Sequence, residues 1–135
     1  MGMNLGVWID HRKAVLVRLS PSGEEIEEIP SEVEKHVRAS GGSRSATPYG
    51  PQDIAAGDRV DRKYAQHLNR FYDEVITHFD QAEAIFILGP GEAKQELEKR
   101  IDDRAMRERI VAIESCDKMT TPQLAAKVRN YFFPQ

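Results

Sequence analysis

The spacing of apolar and polar positions changes three times along the chain. From Leu5 to Ile29 the apolar residues form short runs: Leu5-Gly6-Val7-Trp8-Ile9, then Ala14-Val15-Leu16-Val17-Arg18-Leu19, then the more charged Glu25-Ile26-Glu27-Glu28-Ile29. The segments between them, Asp10-His11-Arg12-Lys13 and Ser20-Pro21-Ser22-Gly23, have turn chemistry. Three strands with such short links predict an antiparallel meander. Lys35-His36-Val37-Arg38 extends the third strand after an irregular break. Residues 39–57 hold four Gly and two Pro and almost nothing to bury. A connection beyond about 12–15 residues without structure of its own is uncommon in a compact domain, so a long flexible loop is predicted there.

From Asp58 to Phe79 the period becomes helical. Val60, Tyr64, Leu68, Phe71, Val75 and Phe79 follow spacings of three and four and fall on one stripe. Asp58 is the expected N-cap, and Arg59, Arg62, Lys63 and Arg70 occupy the opposite side. Ala84 to Leu88 is a continuous apolar run, as in a strand covered on both faces. A helix with Ala93, Leu97 and Ile101 inward comes next, then a buried strand at Ile110–Ile113. Thr121-Pro122 opens a last helix with Leu124, Val128 and Phe132 inward. The predicted order is β-β-β-α-β-α-β-α, an α/β fold with a mixed sheet. A three-layer fold of the ribonuclease H-like kind fits that order best.

Composition narrows the function classes. The chain has 135 residues, 40% hydrophobic and 30% charged, which predicts one domain over residues 1–135. No apolar run approaches the roughly 18 residues of a membrane span. The opening Met1-Gly2-Met3-Asn4 lacks the pattern of a secretory signal, so no membrane partner is expected. Cys116 is the single cysteine, which points to a reducing cytoplasm and a structural thiol. One Cys and four scattered His offer no metal cluster, and no cofactor is expected.

The net charge of −3 is unevenly spread: −4 over residues 1–34, +4 over 35–70 and −3 over 71–135. A basic middle on an acidic body suggests an anionic partner at one face. Its candidate contacts are Arg38, Gly41, Gly42 and Arg44 in the loop, with Arg59, Arg62, Lys63 and Arg70 on the helix. The paired glycines let a backbone approach a ligand closely, and the cations suit phosphate. Tyr49 is a possible stacking residue in the same loop. A flexible tether and a solvated helix face are the alternatives. Gly89, Gly91 and Lys94, in a strand-to-helix turn, form a second candidate for an anion, or simply a tight turn. Asp10 ends the first strand, but the run Leu88-Gly89-Pro90 supplies no acid beside it. Two-metal nuclease chemistry is therefore not expected, and Asp10 is read as ordering its own turn. No catalytic residue is assigned.

Gly41-Gly42 in a loop, the basic-faced helix and the run Ala84-Ile85-Phe86-Ile87-Leu88-Gly89-Pro90-Gly91-Glu92-Ala93-Lys94 together resemble a known family. It is the middle domain of archaeal and eukaryotic peptide-chain release factors and Pelota, with their bacterial relatives; the likeness runs from Leu5 to Phe132. The resemblance implies a ribonuclease H-like translation-machinery sheet and a ribosome, rRNA or tRNA partner rather than DNA. The release factors hydrolyse peptidyl-tRNA with a Gly-Gly-Gln tip, whereas Gly41-Gly42 is followed here by Ser43. The first expectation is thus a stand-alone, non-catalytic, ribosome-binding module. A peptidyl-tRNA ester hydrolase and a homo-oligomeric interaction domain are the alternatives.

Overall fold

Five strands form one mixed sheet in the order β3-β2-β1-β4-β5. The structure is a computed structural model that describes residues 2–32 and 50–134, with side chains from residue 62 onward in the second stretch. Strands β1 (Met3–Ile9), β2 (Lys13–Ser20) and β3 (Gly23–Pro30) form the expected antiparallel meander. β4 (Ala82–Gly89) lies parallel to β1, and β5 (Ile110–Ser115) parallel to β4. The helices are α1 (Gly50–Ile76), α2 (Ala93–Lys99), α3 (Arg104–Glu108) and α4 (Thr121–Phe132).

Both faces of the sheet are covered, and strand alternation sorts the core in two. Leu5, Val7 and Ile9 of β1 join Ile85 and Ile87 of β4, Leu68, Phe71 and Val75 of α1, and Leu97 of α2. Trp8 of β1, Phe86 and Leu88 of β4 point the other way, against Leu124, Ala125 and Val128 of α4. Each such fully buried side chain stabilises the fold by about 1.5–3 kcal/mol. The outer strand β3 is exposed at every position except Ile29, and Glu24, Glu25, Glu27 and Glu28 line it. Charge of one sign along an edge discourages pairing with another chain.

Four expectations need correction. The strand expected to be buried at Ile110–Ile113 is β5, which ends the sheet order with no fully buried position and leaves Val111 48% exposed, because only β4 flanks it. The helix expected from Asp58 already begins at Gly50, so residues 50–57 belong to α1 rather than to the loop, and Asp58 lies inside the helix. Pro51 sits in the first turn, where its missing N–H costs nothing, and Ala55-Ala56 favour helix. Gly57 costs only about 1 kcal/mol there and does not break it. At the other end α1 stops at Ile76, and Thr77–Phe79 tighten into a 3-10 turn that buries Phe79. Between β4 and β5 there are two helices, not one, so the order reads β-β-β-α-β-α-α-β-α. α2 ends before Ile101, and Asp103 starts α3 by accepting from the Ala105 and Met106 amides at 2.9 and 3.4 Å. α4 forms where expected, but its N-cap is Thr120 rather than Thr121: Thr120 and Gln123 form a reciprocal capping box on either side of Pro122. The piece at Lys35–Arg38 lies outside the described residues.

The join of β1 to β4 depends on Gly89. Its φ is +151°, and a Cβ there would run into the Ile9 carbonyl oxygen. Gly89→Ala is expected to cost about 3 kcal/mol, from backbone strain plus the displaced Ile9 carbonyl. A urea midpoint indistinguishable from wild type contradicts this account of the strand end.

Candidate functional site

The described part of the cationic face lies on α1. Leu68, Phe71, Tyr72 and Val75 turn into the core, which leaves Arg62, Lys63 and Arg70 exposed on the far side. At 100° per residue these three span a quarter turn of the helix. Lys63 and Arg70 make no ion pair among the described residues, whereas Arg62 has a partner. Asp73 shares that arc, but Arg100 of the α2 end grips it with two hydrogen bonds of 3.1 and 2.7 Å. The same carboxylate raises the Arg100 pKa, so the guanidinium stays charged. Asp73 is thereby neutralised from outside the helix, while Glu74 stays exposed beside it on the same arc. Arg38, Gly41, Gly42, Arg44 and Tyr49 lie outside the described residues, as does the side chain of Arg59.

The second set of expected residues falls together at the β4-to-α2 turn. Gly89 and Gly91 both have positive φ, +151° and +62°. Lys94 is 3% exposed, and its ammonium donates to the Gly91 carbonyl at 2.5 Å. It braces the turn from inside and is not turned outward to solvent. Asp10 behaves as read: its Oδ1 accepts from the Arg12 and Lys13 amides at 2.8 and 2.9 Å, fixing the β1–β2 turn. Cys116 is partly buried, and burial pushes its thiol pKa up, away from nucleophilic use. Among the described residues no group of three His, Cys, Asp or Glu could hold a metal ion. Among the described residues no helix is long and apolar enough to cross a membrane.

Parallel pairing of β1 and β4 brings those two turns side by side. A cleft of about 220 Å³ opens between them, lined by Asp10, His11, Pro90, Gly91, Glu92 and Ala93. At its edge His11 Nε2 lies 3.1 Å from Glu96 Oε1 on α2, and the Tyr72 hydroxyl donates to the same oxygen at 2.5 Å. Burial and then the Glu96 carboxylate raise the Tyr72 pKa, so the phenol remains a donor. Tyr64 meets the His11 ring edge-on, with centroids 6.5 Å apart. An ionised carboxylate only accepts, so Nε2 carries the proton and the lone pair of neutral His11 sits on Nδ1. Among the described residues nothing bonds to that Nδ1. Sequence reasoning missed this triad. Its members stand 85 and 24 positions apart, and the only local signal is a His directly after a strand that ends in a turn-forming Asp.

No protein-family model and no curated protein matches the sequence. Among solved structures, one described only as an archaeal protein superposes with a TM-score of 0.50 at 13% identity, covering 97% of this chain and 34% of that one. The archaeal translation termination factor aRF1 gives 0.47 at 11% identity, covering 96% and 39%. The likeness is one of fold. This chain spans 34% and 39% of the lengths of those two proteins.

Tyr72 gives the site a measurable pH signature. The folded phenol ionises at a higher pH than the unfolded one, whose ordinary value is about 10. Below that value its contribution is fully present. Above it the unfolded chain binds fewer protons than the folded one, and stability falls as pH rises. Urea unfolding followed from about pH 8 to pH 11 should show this alkaline loss in wild type and a shallower one in Tyr72→Phe. Equal slopes in the two chains contradict the assignment.

Proposed function

We propose that this chain is a translation-associated module of the cytoplasm that binds ribosomal RNA or tRNA through the cationic face of α1. The Gly41-Gly42 loop just before that helix in sequence serves as a second contact, and the mixed sheet is of the ribonuclease H-like kind. One observation carries the reading: Lys63 and Arg70 stand exposed without carboxylate partners among the described residues, while Arg100 neutralises the acid between them and the α2 end. Most surface charges elsewhere on the sheet are matched. Lys13 pairs with Glu28, Arg18 with Glu27 and Arg129 with Glu24. Exposed cations such as Lys63 and Arg70 suit a polyanion, and phosphates are the groups they would hold. The sequence resemblance to release-factor middle domains selects RNA on the ribosome as that polyanion.

Binding of this kind depends on counterion release. Titration with ribosomes and with tRNA at about 50 and 200 mM salt should show affinity falling steeply as salt rises. The double variant Lys63→Glu/Arg70→Glu should bind at least tenfold more weakly at the lower salt. Its slope of log affinity against log salt should be smaller by about 1.5, the share of two lost phosphate contacts. Failure to bind either ligand at the lower salt, or a double variant with wild-type affinity and slope, overturns the proposal.

A further inference from the structure

The cleft between the β1–β2 turn and the β4–α2 turn has no part in binding along α1, yet it holds an arrangement suited to chemistry. It stands over the carboxyl ends of two adjacent parallel strands. From there the chain leaves β1 toward β2 on one side and leaves β4 toward β5 on the other. Diverging connections open a crevice in α/β sheets, and ligands bind in it. A histidine lines this crevice, its ring held at Nε2 and, among the described residues, unbonded at Nδ1. Glu96 fixes the ring and would stabilise the imidazolium. Tyr72, 1% exposed, fixes Glu96 in turn. A base, a carboxylate that orients it and a buried donor behind the carboxylate make the usual support for a general base.

The lining also selects a substrate. Asp10 and Glu92 are carboxylates, no Lys or Arg among the described residues lines the cleft, and the Lys94 ammonium is turned to the Gly91 carbonyl. Phosphate esters and carboxylate-bearing acids are therefore disfavoured at this site, and an ammonium group is favoured. Pro90, Gly91 and Ala93 supply a small apolar wall. We propose that this cleft is a hydrolytic site for esters of small amine-bearing acids, with His11 as its catalytic general base and Glu96 and Tyr72 as positioning residues. His11 Nδ1 accepts a proton from water while the water oxygen bonds to the acyl carbon. The tetrahedral adduct then expels the alcohol oxygen with its bonding pair, and the imidazolium returns the proton to that oxygen. Acid and alcohol leave, and neutral His11 is restored. The inference is independent of RNA binding by α1 and stands or falls on its own test.

The full-length chain is assayed with the 4-nitrophenyl esters of glycine, acetate and succinate, which carry an ammonium, no charge and a carboxylate. The glycine ester should be hydrolysed about 10²–10⁴-fold faster than in buffer, with acetate slower and succinate slowest. His11→Gln keeps an N–H for Glu96, preserves the tether between the turns and removes the base, so its rate should fall to the buffer level. Added imidazole should restore part of the rate to His11→Ala, which a purely structural histidine would not allow. Tyr72→Phe should lower kcat and leave KM in place. Hydrolysis at the buffer rate, equal rates in wild type and His11→Gln, a His11→Ala chain that imidazole does not revive, or preference for the succinate ester overturns the proposal.

Discussion

The parallel pairing of β1 with β4, at the centre of the sheet, sets the position of every group discussed above. Each strand is buried on both faces, so its register is held by two cores at once. Sliding β4 by one residue would send Ile85 and Ile87 toward α4, and Phe86 and Leu88 toward α1, emptying and overfilling the two layers together. That register sets Trp8 opposite Leu88 and leaves Asp10 and His11 beside Pro90 and Gly91. Gly89 is the point where the two strands separate, and only a residue without a Cβ fits against the Ile9 carbonyl.

Electrostatics on the two sides of the molecule follow different rules. The acidic strand β3 is mostly paired with cations from β2 and α4, which ties an outer strand to its neighbours while keeping it unattractive to other chains. Such exposed pairs contribute little to stability, on the order of 0–1 kcal/mol each. Their consequence is rather in the field they leave behind. With those carboxylates matched and Asp73 taken by Arg100, Lys63 and Arg70 stand exposed on α1 without an ion pair among the described residues. A net charge of −3 conceals these exposed cations. The cleft at the strand ends is lined instead by the carboxylates of Asp10 and Glu92.

Much of the architecture is legible along the chain. The five strands, the buried character of β4, the last helix and the turn-ordering role of Asp10 follow from alternation, apolar runs and short-range hydrogen-bonding chemistry. These are properties of a few neighbouring residues, and neighbouring residues are what a sequence displays. The start of α1 is less legible, because Gly50, Pro51 and Gly57 read as loop by composition while the helix tolerates each of them where it falls. The break between α2 and α3 is hidden too, since Ile101 continues the helical apolar spacing yet is buried beyond the helix end.

What the sequence determined by itself is the five strands, the long and the last helix, the burial of β1, β2 and β4, and the presence of a basic stretch in the middle of the chain. Tertiary structure alone decided which charges are cancelled and which polar groups meet. Arg100 reaches Asp73 across 27 positions, and His11 and Tyr72 converge on Glu96 from two other elements. Such meetings depend on strand register and on the angle at which helices lie over the sheet. Those are set by how whole faces fill the space between layers, and no local pattern of residues records them.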